Sequence, residues 1–158
     1  MSIRALRQVQ LLGLLLAVAA GVHAATEQTT PIVGQWLTET RGGIIQIEAL
    51  PDGTYQGRVA GGNEPGRLDS KNPDPALRNK PLMGQVIMRG LRSDGDGKWS
   101  GGTIYDADSG SVYQCSITLL APDRIKLRGF IGFSLIGRSQ VWTRYHAKSP
   151  ALGANTRE

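Results

Sequence analysis

The fold of this chain is most constrained by short segments in which apolar and polar residues alternate, each bounded by turn-forming residues. Between residues 113 and 119, the apolar positions are Tyr113, Cys115, Ile117 and Leu119, with polar side chains between them. This period of two is typical of a β-strand with one buried face. Cys115, the single cysteine, lies on the apolar face. We therefore interpret it as a small buried hydrophobe rather than a reactive thiol.

The same pattern predicts about eight strands with tight turns between them. Their predicted bounds are 34–38, 44–50, 54–60, 84–89, 98–105, 111–120, 124–129 and 138–145. Turn signals such as Pro51-Asp52-Gly53 separate them. We expect an all-β fold, an antiparallel up-and-down barrel of about eight strands. Closure removes exposed strand edges and leaves an interior that is either filled or able to hold one small ligand.

One stretch departs from this pattern, the non-strand region 61–81. Pro73 and Pro75 exclude a central strand there. Asp74 followed by Pro75 predicts the N-cap and first position of a single helical turn ending at Arg78. Long loops in compact domains are often functional. We expect either a polar ligand site at one barrel mouth or a loop that satisfies its own hydrogen bonds.

The candidate ligand-binding residues are polar or charged groups of this loop and of neighbouring strands. They are Asp69, Lys71, Asn72, Asp74, Arg78, Arg58, Tyr105, Arg128 and Arg138. The first amides of the predicted turn are suited to an anion, and the planar guanidinium of Arg78 offers a further donor.

The first 24 residues have the three parts of a secretory signal peptide. Arg4 and Arg7 precede an apolar run from 11 to 20, and the predicted cleavage follows Ala24. We therefore expect a periplasmic or secreted protein with a barrel domain over 25–146, a flexible tail over 147–158 and no transmembrane span after cleavage. The remaining chain has 16 basic and 13 acidic residues. The basic residues are scattered, which does not favour a nucleic-acid partner.

Two aromatic motifs lie at the ends of the predicted domain. Gly34-Gln35-Trp36 opens the first strand, and Trp142-Thr143-Arg144 ends the last. The first and last strands are neighbours in a closed barrel, so Arg144 can stack on Trp36. This arrangement resembles the closed end of lipocalin-like (calycin) barrels, and it gives Trp36, Trp142 and Arg144 structural roles.

The resemblance extends over residues 32–144. Its matching motifs are Gly34-Gln35-Trp36, Asp52-Gly53, Gly57-Arg58-Val59, Asp69 to Pro75, Leu77-Arg78, Pro81 to Gly84, Trp99 to Asp106, Arg128 to Gly132 and Gly137 to Arg144. In these motifs the chain resembles the exported bacterial family catalogued as domain of unknown function 2147. The resemblance implies an exported lipocalin-like barrel without an established activity. Ala107 departs from the pattern, because a Pro is expected after Tyr-Asp, and this affects only a turn.

Sequence patterns for catalysis and metal binding are sparse. After leader removal the only histidine is His146, next to the tail, and no Cys and His cluster suits zinc. The aspartates over 94–96 and 106–108 are interpreted as turn formers rather than Ca²⁺ ligands. No metal and no cofactor is expected. Carboxylates such as Asp69 and Asp74, acting with Tyr105, provide a route to acid–base chemistry without histidine.

We therefore expect a non-catalytic binding module for a polar or anionic small molecule, or for a protein partner in the cell envelope. One alternative is a structural interaction domain of the envelope. The apolar segment 130–136 would then be exposed rather than plugging a barrel end. A second alternative is a carboxylate-dependent hydrolase or isomerase. The sequence does not define the oligomeric state.

Overall fold

The computed structural model describes residues 31–132 and 137–147, which form eight strands and one short 3₁₀ turn. The elements in chain order are β1 (Gly34–Leu37), β2 (Gly43–Ala49), β3 (Tyr55–Gly62), the 3₁₀ turn (Pro75–Leu77), β4 (Val86–Gly95), β5 (Lys98–Asp106), β6 (Ser111–Ala121), β7 (Arg124–Phe130) and β8 (Gly137–Arg144). The predicted leader and nearly all of the predicted tail lie outside the described residues.

The strands form a closed antiparallel barrel in simple sequence order. Each strand pairs with the next, and β1 closes the sheet against β8 with Trp36 opposite Arg144. The all-β, up-and-down barrel predicted from the alternation is confirmed. This order places the β1–β2, β3–β4, β5–β6 and β7–β8 connections at one end, called the mouth. The remaining turns, the start of β1 and the end of β8 lie at the other end, called the closed end.

Turn chemistry at the closed end follows from local sequence. Asp96 and Gly97 both have positive φ, at 50° and 69°. A two-residue hairpin of this kind suits the right-handed twist of the strands it joins. In the β2–β3 turn, Asp52 Oδ1 accepts hydrogen bonds from the Thr54 amide at 2.9 Å and from the Thr54 hydroxyl at 2.7 Å. These bonds lower the pKa of the Asp52 carboxyl.

The fourth strand differs most from its prediction. The sequence predicts 84–89, whereas β4 runs from Val86 to Gly95. Gly90, with φ of 72°, interrupts the regular alternation within the strand. The polar residues that follow Leu91 are exposed, so they lack the apolar signal of a half-buried strand. The turn is correspondingly shorter than the predicted 94–97 segment, and the long loop runs from 63 to 85 rather than 61 to 81.

The core lies mainly in the closed half of the barrel. Buried residues there include Ile32, Trp36, Ile47, Met88, Leu91, Trp99, Cys115, Ile117 and Ile125. Ile32 precedes β1 and is fully buried, so it fills the barrel end. Its carbonyl accepts a hydrogen bond from Trp36 Nε1 at 2.8 Å. Burial raises the pKa of the Cys115 thiol to about 12, which suits the predicted hydrophobic role.

Arg144 closes the same end from above the Trp36 ring. Its guanidinium carbon lies 4.1 Å from the ring centroid. Its nitrogen atoms donate to the carbonyls of Val33 at 2.9 Å and Pro122 at 3.2 Å, and also to that of Pro31. One side chain therefore joins the segment before β1, the last strand and the β6–β7 turn.

Two further predictions concern apolar segments. Phe130 is half-buried and Ile131 is 66% exposed, so these two residues do not fill a barrel end. The rest of that segment, 133–136, lies outside the described residues. Within the described part of the chain, no helix is long and apolar enough to cross a membrane.

Candidate functional site

The mouth half of the barrel contains a cavity of about 900 Å³. Its walls carry mostly apolar side chains from six strands and one mouth loop. They are Ile45, Val59, Leu82, Ile87, Ile104, Leu127 and Trp142. Cavities of about 300–1,000 Å³ with apolar walls are typical of small-molecule sites. The barrel is therefore filled at one end and hollow at the other.

Glycines produce this hollow. Six of them line the cavity: Gly42, Gly43, Gly61, Gly62, Gly129 and Gly137. In the closed half, bulky side chains meet inside the barrel. At the mouth, these six positions add no side-chain volume. The inward positions of β7 show the change along a single strand, from Ile125 through Leu127 to Gly129.

The rim of the cavity is polar and carries both signs of charge. Arg67 forms an ion pair with Asp108 at 2.6 Å. Asp106 accepts from the Asp108 amide at 2.9 Å and from the Ser109 hydroxyl at 2.8 Å. Most rim charges are thus engaged with the protein itself. Within 31–132 and 137–147, no group of three His, Cys, Asp or Glu side chains could hold a metal ion.

Beside the mouth, the 63–85 loop is fastened by a buried carboxylate. Asp69 is fully buried. Its Oδ1 accepts from the Tyr105 hydroxyl and its Oδ2 from Asn72 Nδ2, both at 2.6 Å. A buried carboxylate is tolerated only when donors satisfy it. The Asp69 side chain therefore fixes the loop to strand β5.

The predicted helical turn is present, and the loop itself satisfies its first amides. Asp74 Oδ1 accepts from the Ala76 amide at 2.9 Å, and Asn72 Oδ1 accepts from the Asp74 amide at 2.9 Å. Arg78 Nε donates to the Asn72 carbonyl at 2.8 Å. The Asp74 carboxylate thus occupies the position expected for an external anion.

The loop also docks on the β5–β6 hairpin. Lys71 Nζ donates to the Asp108 carbonyl at 2.6 Å. A Cβ atom at Gly110 would lie 2.1 Å from the Lys71 carbonyl oxygen, and Gly110 has φ of 72°. Only glycine allows this close approach. The loop and hairpin therefore form one packed unit at the edge of the mouth.

Tyr105 belongs to both features. It lines the cavity and donates to Asp69. Desolvation, followed by its hydrogen bond to the Asp69 carboxylate, raises the pKa of Tyr105 to about 12. The phenol therefore remains a neutral donor over the physiological pH range.

The other predicted site residues are dispersed. Arg58 lies on the outer surface of β3 and pairs with Glu48 at 3.2 Å. The hydrogen bonds from Gln56 and Arg58 lower the pKa of Glu48. Arg128 faces outward on β7 and donates to Ser139 Oγ at 3.3 Å. Of the three strand arginines, only Arg138 lines the cavity.

Sequence reasoning identified the loop but missed the cavity walls. The sequence left a filled or a hollow interior open, because alternation shows which residues face inward without showing how far the interior is filled. The available signal was the small residues in phase with inward positions near the mouth, such as Gly43 on β2 and Gly129 on β7.

A family model described as "Uncharacterized protein conserved in bacteria (DUF2147)" matches residues 34–144. The chain belongs to this family. A solved structure, "Protein HP1028 from the human pathogen Helicobacter pylori belongs to the lipocalin family", is similar to this DUF2147 protein. The TM-score is 0.66 at 18% identity, covering 72% of this chain and 82% of the other. No curated protein matches the sequence.

Proposed function

We propose that this DUF2147 protein is a non-catalytic binding module that takes a small molecule with a mainly apolar body into the barrel cavity. The observation that carries the proposal is the 900 Å³ cavity with apolar walls. The lipocalin-like fold supports it, because small closed barrels can hold one ligand inside. Burial of the ligand's apolar surface supplies the main driving force.

The cavity suits this role better than the 69–78 loop. In that loop, the side chains of Asp69, Asn72, Asp74 and Arg78 all have protein partners. A ligand binding there would have to replace existing hydrogen bonds, whereas a ligand in the cavity replaces only solvent. The polar or anionic character expected from the sequence therefore belongs to the part of the ligand that lies at the rim.

The signal-peptide pattern of the first 24 residues supports a role in the periplasm or outside the cell. There the protein would bind its ligand after export. The carboxylates of the enzymatic alternative do not line the cavity. They are used in fastening the loop and capping the short turn, which favours binding over acid–base catalysis.

An uncharged fluorescent probe, N-phenyl-1-naphthylamine, tests the proposal. Its emission should rise on binding to the wild-type protein. Ile104→Trp puts a large side chain into the cavity, because Ile104 lines it, and should abolish the rise. Val112→Trp adds the same side chain at a position of β6 that is 60% exposed, and should leave binding unchanged.

Circular dichroism of both variants would verify that the barrel is intact. Probe binding to Ile104→Trp at wild-type affinity would overturn the cavity as the ligand site. Absence of probe binding to the wild-type protein would contradict the proposed function itself.

A further inference from the structure

We infer that the ligand carries an acidic group, held at the mouth by Arg138, Tyr113 and Gln140. This inference rests on the proposed function, because it assigns a chemical class to the molecule that occupies the cavity. The ligand class is an amphipathic anion, with its apolar body inside the barrel and its carboxylate or similar group at the rim. The three residues are called the acid subsite.

The strand register places these residues on one wall. On β8, Arg138 and Gln140 alternate in phase with the inward Trp142, and all three line the cavity. Arg138 lies opposite Gly129 of β7. Tyr113 of β6 lies on the other side of the same glycine, with its Cβ 3.7 Å from the place where a Gly129 Cβ would be. Gly129 therefore leaves a recess between the arginine and the tyrosine.

The polar groups around this recess are mainly donors. Gln140 Oε1 accepts from Trp142 Nε1 at 2.9 Å, so the oxygen is engaged and the amide NH₂ remains to donate. A guanidinium can only donate. The Tyr113 hydroxyl lies 3.5 Å from Ser109 Oγ, which places it toward the rim. A wall of donors favours an acceptor, and a charged acceptor most strongly.

The rim carries three carboxylates and two guanidiniums, and the cation on this wall favours the same ligand. Among the described residues, the Arg138 guanidinium has no ion-pair partner, whereas Arg67, the other cation lining the cavity, is paired with Asp108. The Asp106 carboxylate accepts hydrogen bonds from the amide of Asp108 and the hydroxyl of Ser109 in its own hairpin. The remaining cavity carboxylate, Glu64, follows β3. Strand β3 is separated from β8 by three inter-strand spacings, about 14 Å along the wall.

Three twelve-carbon probes that differ only in their head group separate this inference from the proposed function. Dodecanoate, dodecanol and dodecyltrimethylammonium would each displace N-phenyl-1-naphthylamine at about pH 8, where the carboxylate is ionised. All three should bind, because they share the apolar chain. Dodecanoate should bind most tightly.

Three variants test which residues cause the preference for dodecanoate. Arg138→Gln should weaken dodecanoate about tenfold, the range expected for a hydrogen-bonded charge, and change dodecanol less than twofold. Tyr113→Phe should weaken dodecanoate a few fold. Arg128→Gln removes the same charge from the outward face of the neighbouring strand and should leave all three affinities unchanged.

The possible outcomes are distinct. Equal losses for dodecanoate and dodecanol in Arg138→Gln would mean that Arg138 shapes the mouth without binding an acid, and would overturn the inference. Tightest binding of dodecyltrimethylammonium would overturn it in favour of the rim carboxylates Glu64 and Asp106. In both cases the proposed function stands. If neither dodecanol nor the neutral fluorophore binds the wild-type protein, the proposed function fails.

Discussion

The two ends of the barrel are built from the same eight strands yet have opposite interiors. At the closed end, Ile32 and Trp36 are fully buried, and Arg144 lies over the indole ring. At the mouth, glycines replace bulky side chains and leave about 900 Å³ open. The difference shows that strand alternation determines the barrel, whereas the size of a few inward side chains determines where it can hold a molecule.

Matched truncations at the two ends would sharpen this comparison most. Ile47→Ala removes a fully buried side chain from the closed half and should lower the free energy of unfolding by about 3–4 kcal/mol, because a packed core cannot collapse around the void. Ile104→Ala removes the same atoms beside the existing cavity and should cost about 1 kcal/mol. Urea unfolding of both variants measures the difference.

The two variants must have similar slopes of unfolding free energy against urea concentration. A shift in the unfolding midpoint then reports stability rather than a changed unfolded state. Equal losses of stability would contradict the expected difference, since Ile104 would then be packed as tightly as Ile47.

A substitution in the loop at the mouth should have a smaller effect on stability. Asp69→Ala leaves the Tyr105 hydroxyl and Asn72 Nδ2 without their buried acceptor. It should destabilise the loop by about 2 kcal/mol and speed tryptic cleavage after Lys71 and Arg78. Asp108→Ala serves as the control. It removes a carboxylate from an exposed ion pair with Arg67, which contributes at most about 1 kcal/mol.

Cleavage rates measured at several trypsin concentrations would establish whether loop opening limits proteolysis. If the two variants were cut at the same rate, Asp69 would not be what fastens the loop.

The smallest effect concerns alkaline pH. The pKa of Tyr105 is raised from its ordinary value of 10.0 to about 12, so the folded protein prefers the neutral phenol. The stabilisation is fully present below pH 10 and is lost as the pH rises through about 12. Absorbance at 295 nm should show one tyrosine titrating near pH 12.

That step should vanish in Tyr105→Phe, while the other tyrosine steps persist. Retention of a step near pH 12 in Tyr105→Phe would assign the raised pKa to another residue.

Much of the architecture was predictable because it depends on local signals. Alternation predicted nearly all strand bounds, the tight turns predicted the up-and-down order, and Asp74-Pro75 predicted the short helical turn. The length of β4 was not predicted, because Gly90 interrupts the alternation and polar, exposed residues follow Leu91.

The site was less predictable because it depends on distance and orientation. The composition of the 69–78 loop suggested a ligand site. Its side chains instead form hydrogen bonds with the loop itself and with Tyr105. Arg58, Arg128 and Arg138 look alike in sequence. Only their strand register separates the two that face outward from the one that faces the cavity.

The up-and-down strand order also determines the end of the barrel from which anything joined to the chain extends. Residues 31–33 enter the barrel and residues 144–147 leave it at the end sealed by Trp36 and Arg144, opposite the mouth. A tag, tether or fusion partner added before β1 or after β8 would therefore extend from the sealed side. Protein immobilised through either terminus would present its opening to the solution.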